Sequence, residues 1–229
     1  RASGPEPLKE LIDYTVRTFI GAAGRKLNSL EVHDICCMIA SCVVVGGVRR
    51  SACISFSNLS DQRMKHAKDG QFWIEHPYRS MANNTVAYTD KPDCGMFMEE
   101  WLNLMRSGSG ERGIANIAAL QAKGKVFGRK DTEHLRANPC FEAILNDEEL
   151  CNLTEVVTTS KDTVETLMKK IRASVLLGLV QSTLTHFPNM PDSWTKNAEE
   201  ERLLGVSLRG TCDCPLLRKV DDKTKNLLR

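Results

Sequence analysis

The chain alternates amphipathic helical segments with short strand patterns, and this alternation constrains its fold more than any other feature. Leu8 to Ala23 carries apolar residues at helical spacing, and a second helix is expected from Asn28–Ser29, with Ser29 as its cap, to about Val45. Ser51 to Phe56 alternates apolar and small polar residues, as a half-buried strand does. Helices that alternate with short strands favour an α/β fold with an at least partly parallel sheet.

The same patterns predict the remaining elements. Asn138-Pro139 predicts an irregular loop, because proline cannot continue a regular helix and biases the preceding residue toward extended backbone. The other predicted elements are a short helix over Asn58 to Lys68, extended chain over Thr85 to Tyr88, a helix over Met96 to Met105, a strand over Leu153 to Thr158, a helix capped by Asp162 that reaches about Gln181, and a strand over Leu203 to Leu208.

Charge and hydropathy exclude some function classes. The formal net charge is only +2, with Lys and Arg scattered along the chain, so neither a nucleic-acid stripe nor a polybasic membrane patch is predicted. No apolar run approaches the roughly 20 residues that span a bilayer. Because Arg1 to Pro5 also lacks the hydrophobic core of a signal peptide, we expect a cytoplasmic protein.

The nine cysteines do not form a recognisable framework. An odd number without a secretion signal disfavours a set of disulfides, and no Cys-x2-Cys pair recurs with a second pair or a His-x3-His partner, so no metal site is predicted. We expect most of these thiols to be reduced and buried as small hydrophobic side chains.

The stretch Asn138-Pro139-Cys140-Phe141-Glu142 combines a thiol with an amide two residues before it and a carboxylate two residues after it. In an extended segment, residues two apart face the same side, so these three groups can share one site. A thiol can carry a hydrogen atom, a carboxylate can act as a general base, and an amide can hold a polyol. The alternative is a plain turn with a buried thiol and a surface carboxylate.

A second thiol, Cys151, lies eleven residues after Cys140. If Asn146 to Glu149 forms a turn, the chain can fold back and bring Cys151 close to Cys140. One thiol can then perform radical chemistry while the other supplies reducing equivalents through disulfide formation.

Asn-Pro-Cys-x-Glu followed at this distance by Cys-Asn-Leu-x-Glu-Val resembles the active-site finger loop of the adenosylcobalamin-dependent (class II) ribonucleotide reductases. Further segments resemble the same family in the same order, and together they cover nearly the whole chain. These segments are Arg1 to Pro5, Gly46 to Ala52, Met81 to Val86, Gly110 to Asn116 and Gly205 to Gly210.

The resemblance implies a fold and catalytic roles. Residues 1–229 would form part of a ten-stranded α/β barrel around a central finger loop, as a partial catalytic domain that lacks the N-terminal and C-terminal parts of the family. Cys140 would become a thiyl radical and remove the 3′-hydrogen of a ribonucleotide. Glu142 would take the 3′-hydroxyl proton, Asn138 would hold the ribose hydroxyls, and Cys151 would be one of the two thiols that reduce the 2′-position.

The resemblance also implies ligands. They are adenosylcobalamin, a ribonucleotide substrate, a deoxynucleotide effector and an external dithiol such as thioredoxin, with an oligomer possible. The residues implied in substrate and effector binding are Gly46, Gly47, Arg49, Arg50, Ser51, Asn83 and Asn84. From the residues alone, a helix C-cap followed by solvated arginines, and an Asx-rich turn, remain alternatives.

Two positions depart from the family pattern. Phe141 stands where the family usually has Gly, so a bulky side chain follows Cys140 directly. Arg112 stands where the family usually has Pro, which we expect to be a mild change on a loop. Two other functions stay open: a class I type reductase segment that receives its radical from a second subunit, and a degenerate, non-catalytic nucleotide-binding protein.

Overall fold

A computed structural model describes residues 4–45, 48–49, 51–218, 221–222 and 226. The chain divides into two compact units, Arg1–Ile144 and Leu145–Arg229, and each is described by itself.

The first unit contains most of the helices and strands. In chain order they are α1 (Glu6–Gly21), α2 (Ser29–Cys42), β1 (Val44–Val45), β2 (Val48–Arg49), β3 (Cys53–Ser57), α3 (Gln62–Lys65), α4 (Phe72–Glu75), a 3₁₀ turn (Pro77–Met81), β4 (Ala82–Tyr88), α5 (Cys94–Ser107), β5 (Gly113–Asn116), α6 (Ile117–Val126) and β6 (Arg136–Ala137), with β7 (Ile144–Leu145) at the boundary. The second unit contains β8 (Asn152–Val157), α7 (Val164–Gln181), α8 (Asp192–Glu201) and β9 (Leu204–Arg209). In the described part of the chain, no helix is both long and apolar enough to cross a membrane.

The first unit is organised around a parallel sheet with the strand order β3-β4-β5. The helical crossovers α3–α4 and α5 connect these strands, as parallel pairing requires. The second unit also contains parallel strands joined by helices, because β8 pairs in parallel with β9 and α7 and α8 connect them. The predicted α/β class with parallel strands is therefore confirmed, whereas the ten-stranded barrel stays a prediction.

Three predicted helix ends are wrong. Helix α2 is capped by Asn28, not Ser29, and Glu31 returns a hydrogen bond to complete a capping box. The helix also ends at Cys42, because the following β-branched residues enter β1 instead of continuing to Val45. Thr163, rather than Asp162, accepts the hydrogen bond that caps α7.

A buried polar layer joins α2 to the start of β4. The Asp34 carboxylate accepts two hydrogen bonds from the Arg79 guanidinium, at 2.8 and 2.6 Å, and lies 3.0 Å from the His33 ring. Arg79 also donates to the Ala67 carbonyl at 2.7 Å. Burial acts to raise the pKa of Asp34, but hydrogen bonds from His33 and Arg79 outweigh it and hold that pKa below its ordinary value.

A second buried ion pair joins α5 to the sheet, and it corrects the expected role of Arg112. Arg112 is only 1% exposed and donates to both Glu100 carboxylate oxygens, at 2.6 and 3.0 Å. It also donates to the Ser57 hydroxyl at 2.7 Å, which connects the end of β3. The residue is therefore a central structural contact, not a mild change on a loop.

The second unit has its own apolar core. Val156 of β8, Leu167 of α7, and Cys214 and Leu217 after β9 are buried together. A Cβ at Gly178 would lie 2.5 Å from a Leu204 methyl group, so glycine allows α7 to approach β9 this closely. Cys214 is fully buried. The expectation that most cysteines are buried is nevertheless wrong, because only Cys37 and Cys214 of the nine are buried, whereas four are exposed and three are partly buried.

Replacing Glu100 with Gln tests the buried pair. Because the substitution leaves the Arg112 charge buried without its counterion, we expect it to lower the free energy of unfolding by about 3 kcal/mol. Urea unfolding monitored by tryptophan fluorescence measures the change. Asp13→Asn is the matched control, since the Lys9–Asp13 pair is exposed to solvent and should contribute little to stability. Equal effects of the two substitutions would contradict the structural importance of the Glu100–Arg112 pair.

Candidate active site

Cys140 lies at the tip of a tight turn between β6 and β7, which we call the finger turn (Asn138–Ala143). The Asn138 amide donates to the Ala143 carbonyl at 3.0 Å, and the Phe141 amide donates to the Asn138 carbonyl at 2.9 Å. The predicted irregular loop is therefore confirmed. The expected extended backbone through Glu142 is wrong, because Phe141 adopts a left-handed φ of 67°.

The Asn138 side chain organises this turn. Its Oδ1 accepts a hydrogen bond from the Ala143 amide at 3.0 Å, which closes the turn. Its Nδ2 donates to the Glu142 carboxylate at 2.6 Å. The turn thus brings the amide and the carboxylate together by a hydrogen bond, and the pair flanks Cys140 in sequence.

The thiol of Cys140 is exposed, which distinguishes it from the buried-thiol alternative. Cys37 on α2 shows the contrast. It is fully buried, and burial together with the nearby Asp34 charge raises its pKa to about 12. A thiol with such a pKa is protonated and unreactive at neutral pH. Cys140 is accessible to a reaction partner, whereas Cys37 is a core residue.

The finger turn lies against the parallel sheet. Asn83 of β4 donates from Nδ2 to the Pro139 carbonyl at 2.5 Å. The Phe141 ring packs against Phe56 of β3, with ring centroids 6.3 Å apart. Because Ile54 pairs with Asn83 and alternate residues of a strand share a face, Phe56 and Asn83 lie on the same face of the sheet. This face is the one that contacts the finger turn.

Asn84 lies on the opposite face of β4 and is only 2% exposed. Its Oδ1 is 2.9 Å from His33 Nε2, and its backbone amide donates to Glu111 at 2.7 Å. Lys68 in turn contacts Glu111 at 2.9 Å and donates to the Ala82 carbonyl. These contacts fix the start of β4 beneath Asn83. A direct nucleotide contact from Asn84 stays a prediction.

The residues that hold β4 in place were not predicted from the sequence. His33 and Asp34 interrupt an otherwise apolar helical segment, and a polar pair at such a position is a signal of a buried hydrogen-bonded network. No comparable signal identifies Lys68 and Glu111, because these residues are 43 positions apart and meet only in the folded chain.

Cys151 belongs to the second unit, where it precedes β8 and is partly buried. The predicted turn at Asn146 to Glu149 is confirmed, since the Asn146 amide donates to the Glu149 carboxylate at 2.7 Å and Glu148 has a φ of 54°. Cys140 lies in the first unit, so the predicted approach of the two thiols stays a prediction.

The predicted effector segment is partly described. Strands β1 and β2 pair antiparallel, with Val44 opposite Arg49. The Ser51 hydroxyl donates to the Ala40 carbonyl of α2 at 2.8 Å. Gly46, Gly47 and Arg50 lie outside the described residues, and the roles of all five segment residues stay predictions.

Comparison with known proteins supports the resemblance. The chain is 27% identical to the adenosylcobalamin-dependent ribonucleoside-triphosphate reductase of Euglena gracilis over 218 residues, which are 91% of the chain and 28% of that protein. The reductase of the same name from Lacticaseibacillus paracasei is 32% identical over 159 residues, or 68% of the chain and 21% of that protein.

This chain is homologous to part of these reductases. A probable reductase of the same kind from Dictyostelium discoideum is 27% identical over 90% of the chain. The chain spans 21–28% of the length of these three reductases. No protein-family model matches the chain.

Replacing Asn138 with Ala tests the organisation of the finger turn. We expect the Ala143 amide to exchange with solvent about fivefold faster, because a hydrogen bond of about 1 kcal/mol is lost. Hydrogen–deuterium exchange of the full-length protein measures this rate. Glu142→Ala is the matched control, since it removes the acceptor for Asn138 Nδ2 and keeps the Asn138 Oδ1 acceptor for the Ala143 amide. If both variants speed the exchange equally, the Asn138–Ala143 bond does not close the turn.

Proposed function

We propose that the full-length protein containing this chain is an adenosylcobalamin-dependent ribonucleoside-triphosphate reductase, and that this chain carries its finger loop. The observation that supports the proposal best is the finger turn, where an exposed thiol is flanked by an amide hydrogen-bonded to a carboxylate. These are the groups that radical removal of a ribose hydrogen needs. The names of the homologous proteins support the same reaction.

In the proposed fold, this chain forms part of a ten-stranded α/β barrel around the finger turn. Exposed apolar side chains support burial against further structure. On α1 they include Leu8, Ile12 and Phe19, each more than half exposed, and on α7 they include Leu177 and Val180. A stable surface rarely carries such apolar stripes unless another element covers them.

The first chemical step in this proposal uses the finger turn. The Cys140 thiyl radical takes the 3′-hydrogen atom of the ribose, so that a sulfur–hydrogen bond forms and a carbon–hydrogen bond breaks. Glu142 accepts the proton of the 3′-hydroxyl as a general base. Asn138, which already donates to Glu142 at 2.6 Å, orients the carboxylate and the ribose hydroxyls.

The reducing step uses Cys151. Together with a second thiol it supplies two electrons to the 2′-position, the 2′-hydroxyl leaves as water, and the two thiols become a disulfide. An external dithiol such as thioredoxin then reduces the disulfide by thiol–disulfide exchange. The hydrogen atom held by Cys140 returns to the 3′-carbon, which restores the thiyl radical.

The position of Cys140 in the finger turn is compatible with a bound cofactor that generates the radical on its sulfur. Cys140 is exposed at the tip of the turn, where a group outside the chain can reach its sulfur, in contrast to the buried Cys37. When bound, adenosylcobalamin supplies the unpaired electron through homolysis of its cobalt–carbon bond. The contribution of this chain is to hold the thiol, the amide and the carboxylate in place.

The proposal includes regulation by a deoxynucleotide effector. Gly46, Gly47, Arg49, Arg50 and Ser51 would transmit effector binding to the substrate base, and Asn83 and Asn84 would contribute near the nucleotide. Glycine adopts backbone conformations that other residues disfavour, while arginine suits phosphate or a base edge. The contact of Ser51 with α2 gives this segment a fixed end. We propose a cytoplasmic enzyme that can form an oligomer.

Replacing Cys140 with Ser tests the function. The full-length protein would be mixed with adenosylcobalamin, a ribonucleoside triphosphate, a deoxynucleotide and a dithiol. We expect deoxynucleotide product and an electron paramagnetic resonance signal of coupled cob(II)alamin and thiyl radical, both abolished in the variant because serine forms no comparable radical. Cys94→Ser is the matched control, since this exposed thiol lies on α5 and should not affect either readout.

The same experiment separates the other functions. Product that forms with a metal-radical subunit and without adenosylcobalamin would indicate a class I type reductase. Deoxynucleotide binding that survives Cys140→Ser, with no reduction under any condition, would indicate a non-catalytic nucleotide-binding protein.

A further inference from the structure

Phe141 has an unusual backbone conformation directly after Cys140. Its φ of 67° lies in the left-handed region, which is unfavourable for any residue with a Cβ and especially for a bulky one. The backbone hydrogen bond from Phe141 to Asn138 holds this conformation. Glycine would adopt this backbone conformation freely, but for phenylalanine it costs free energy. A favourable contact of the Phe141 side chain must therefore offset that cost.

The Phe141 side chain has such a contact. Its ring packs at 60° against Phe56, in the tilted geometry that aromatic pairs favour. Phe56 belongs to β3 and lies at its C-terminal end, one residue before Ser57, which accepts a hydrogen bond from the buried Arg112. The ring is therefore anchored on a strand that the Glu100–Arg112 pair holds in place.

A second anchor lies on the other side of Cys140. Asn83 of β4 donates to the carbonyl of Pro139, the residue immediately before the thiol. The two anchors come from neighbouring parallel strands and from the same face of the sheet, as the pairing of Ile54 with Asn83 requires. The residues before and after Cys140 are thus each fixed to a different strand.

We infer that Phe141 is a positioning residue, and that the Phe56–Phe141 contact and the Asn83–Pro139 hydrogen bond together clamp the finger turn onto the sheet. The clamp holds Cys140 at one place relative to β3 and β4. Its consequence for radical chemistry rests on the proposed function, whereas the clamp itself is a property of the fold. By packing against Phe56, the Phe141 ring restricts the conformation of the turn. A glycine at this position would lack that restriction.

The clamp is tested in the full-length protein without cofactor, by hydrogen–deuterium exchange at the Ala143 amide. Phe56→Leu keeps an apolar side chain on β3 but removes the ring partner, and Phe141→Gly removes the ring itself. We expect each to speed exchange by about fivefold, with Phe56→Leu the larger effect because Phe141 then keeps its unfavourable backbone without its contact. The double variant should match Phe141→Gly alone, since the contact can be lost only once.

Arg202→Gly is the matched control. Arg202 also has a left-handed backbone, with a φ of 45°, but ends α8 in the second unit. Glycine there relieves the same kind of conformation and should leave Ala143 exchange unchanged. If Phe56→Leu also leaves it unchanged, or if the effects of the two single substitutions add in the double variant, the clamp is wrong.

A second readout uses the complete enzyme with substrate and adenosylcobalamin. Looser positioning of Cys140 should lower kcat by about fivefold in Phe56→Leu, leave KM nearly unchanged and broaden the coupled cob(II)alamin–thiyl signal. A lower KM in Phe141→Gly with unaltered Ala143 exchange would mean that the ring only fills the substrate pocket, and would overturn the inference. Altered exchange in a protein that never reduces nucleotides would retain the clamp and reject the proposed function.

Discussion

The hydrogen-bonded ion pair between Asp34 and Arg79 supports the organisation of the first unit. It fixes α2 against the 3₁₀ turn that leads directly into β4. Because the same carboxylate also contacts His33, which contacts Asn84, the network determines where β4 begins. The start of β4 in turn determines where Asn83 lies. Asn83 then determines the position of the Pro139 carbonyl in the finger turn, to which it donates a hydrogen bond. A polar layer behind the sheet thus sets the geometry of the exposed thiol in front of it.

Local patterns predicted the elements whose signals lie within a few residues. Helices α1 and α7 and strands β3, β8 and β9 follow from apolar periodicity, and the turns at Asn138 and Asn146 follow from their proline and polar residues. Helix ends were less predictable, since Asn28 and Ser29, or Asp162 and Thr163, are adjacent residues that can both cap a helix. Only the backbone at each end decides which of them caps.

The long-range contacts could not be read from the sequence. Arg112 and Glu100 lie on opposite sides of a glycine-rich loop, and nothing near either residue indicates that both are buried. Strand β5 has only four residues, and they do not alternate between apolar and polar side chains. It forms because it pairs with the edge of β4. At the finger turn, the sequence indicated the thiol, amide and carboxylate, but the turn conformation and its contacts with β3 and β4 depend on tertiary structure.

The amide of Asn84 leaves one buried donor without a partner behind the sheet. Its Oδ1 lies 2.9 Å from His33 Nε2, whereas its Nδ2 has no hydrogen-bond partner among the described atoms. A buried donor that makes no hydrogen bond costs about 1–3 kcal/mol, so the polar layer that fixes the start of β4 is less stable than its ion pair alone would make it. The strand that holds the finger turn therefore rests on a layer whose hydrogen bonding is incomplete.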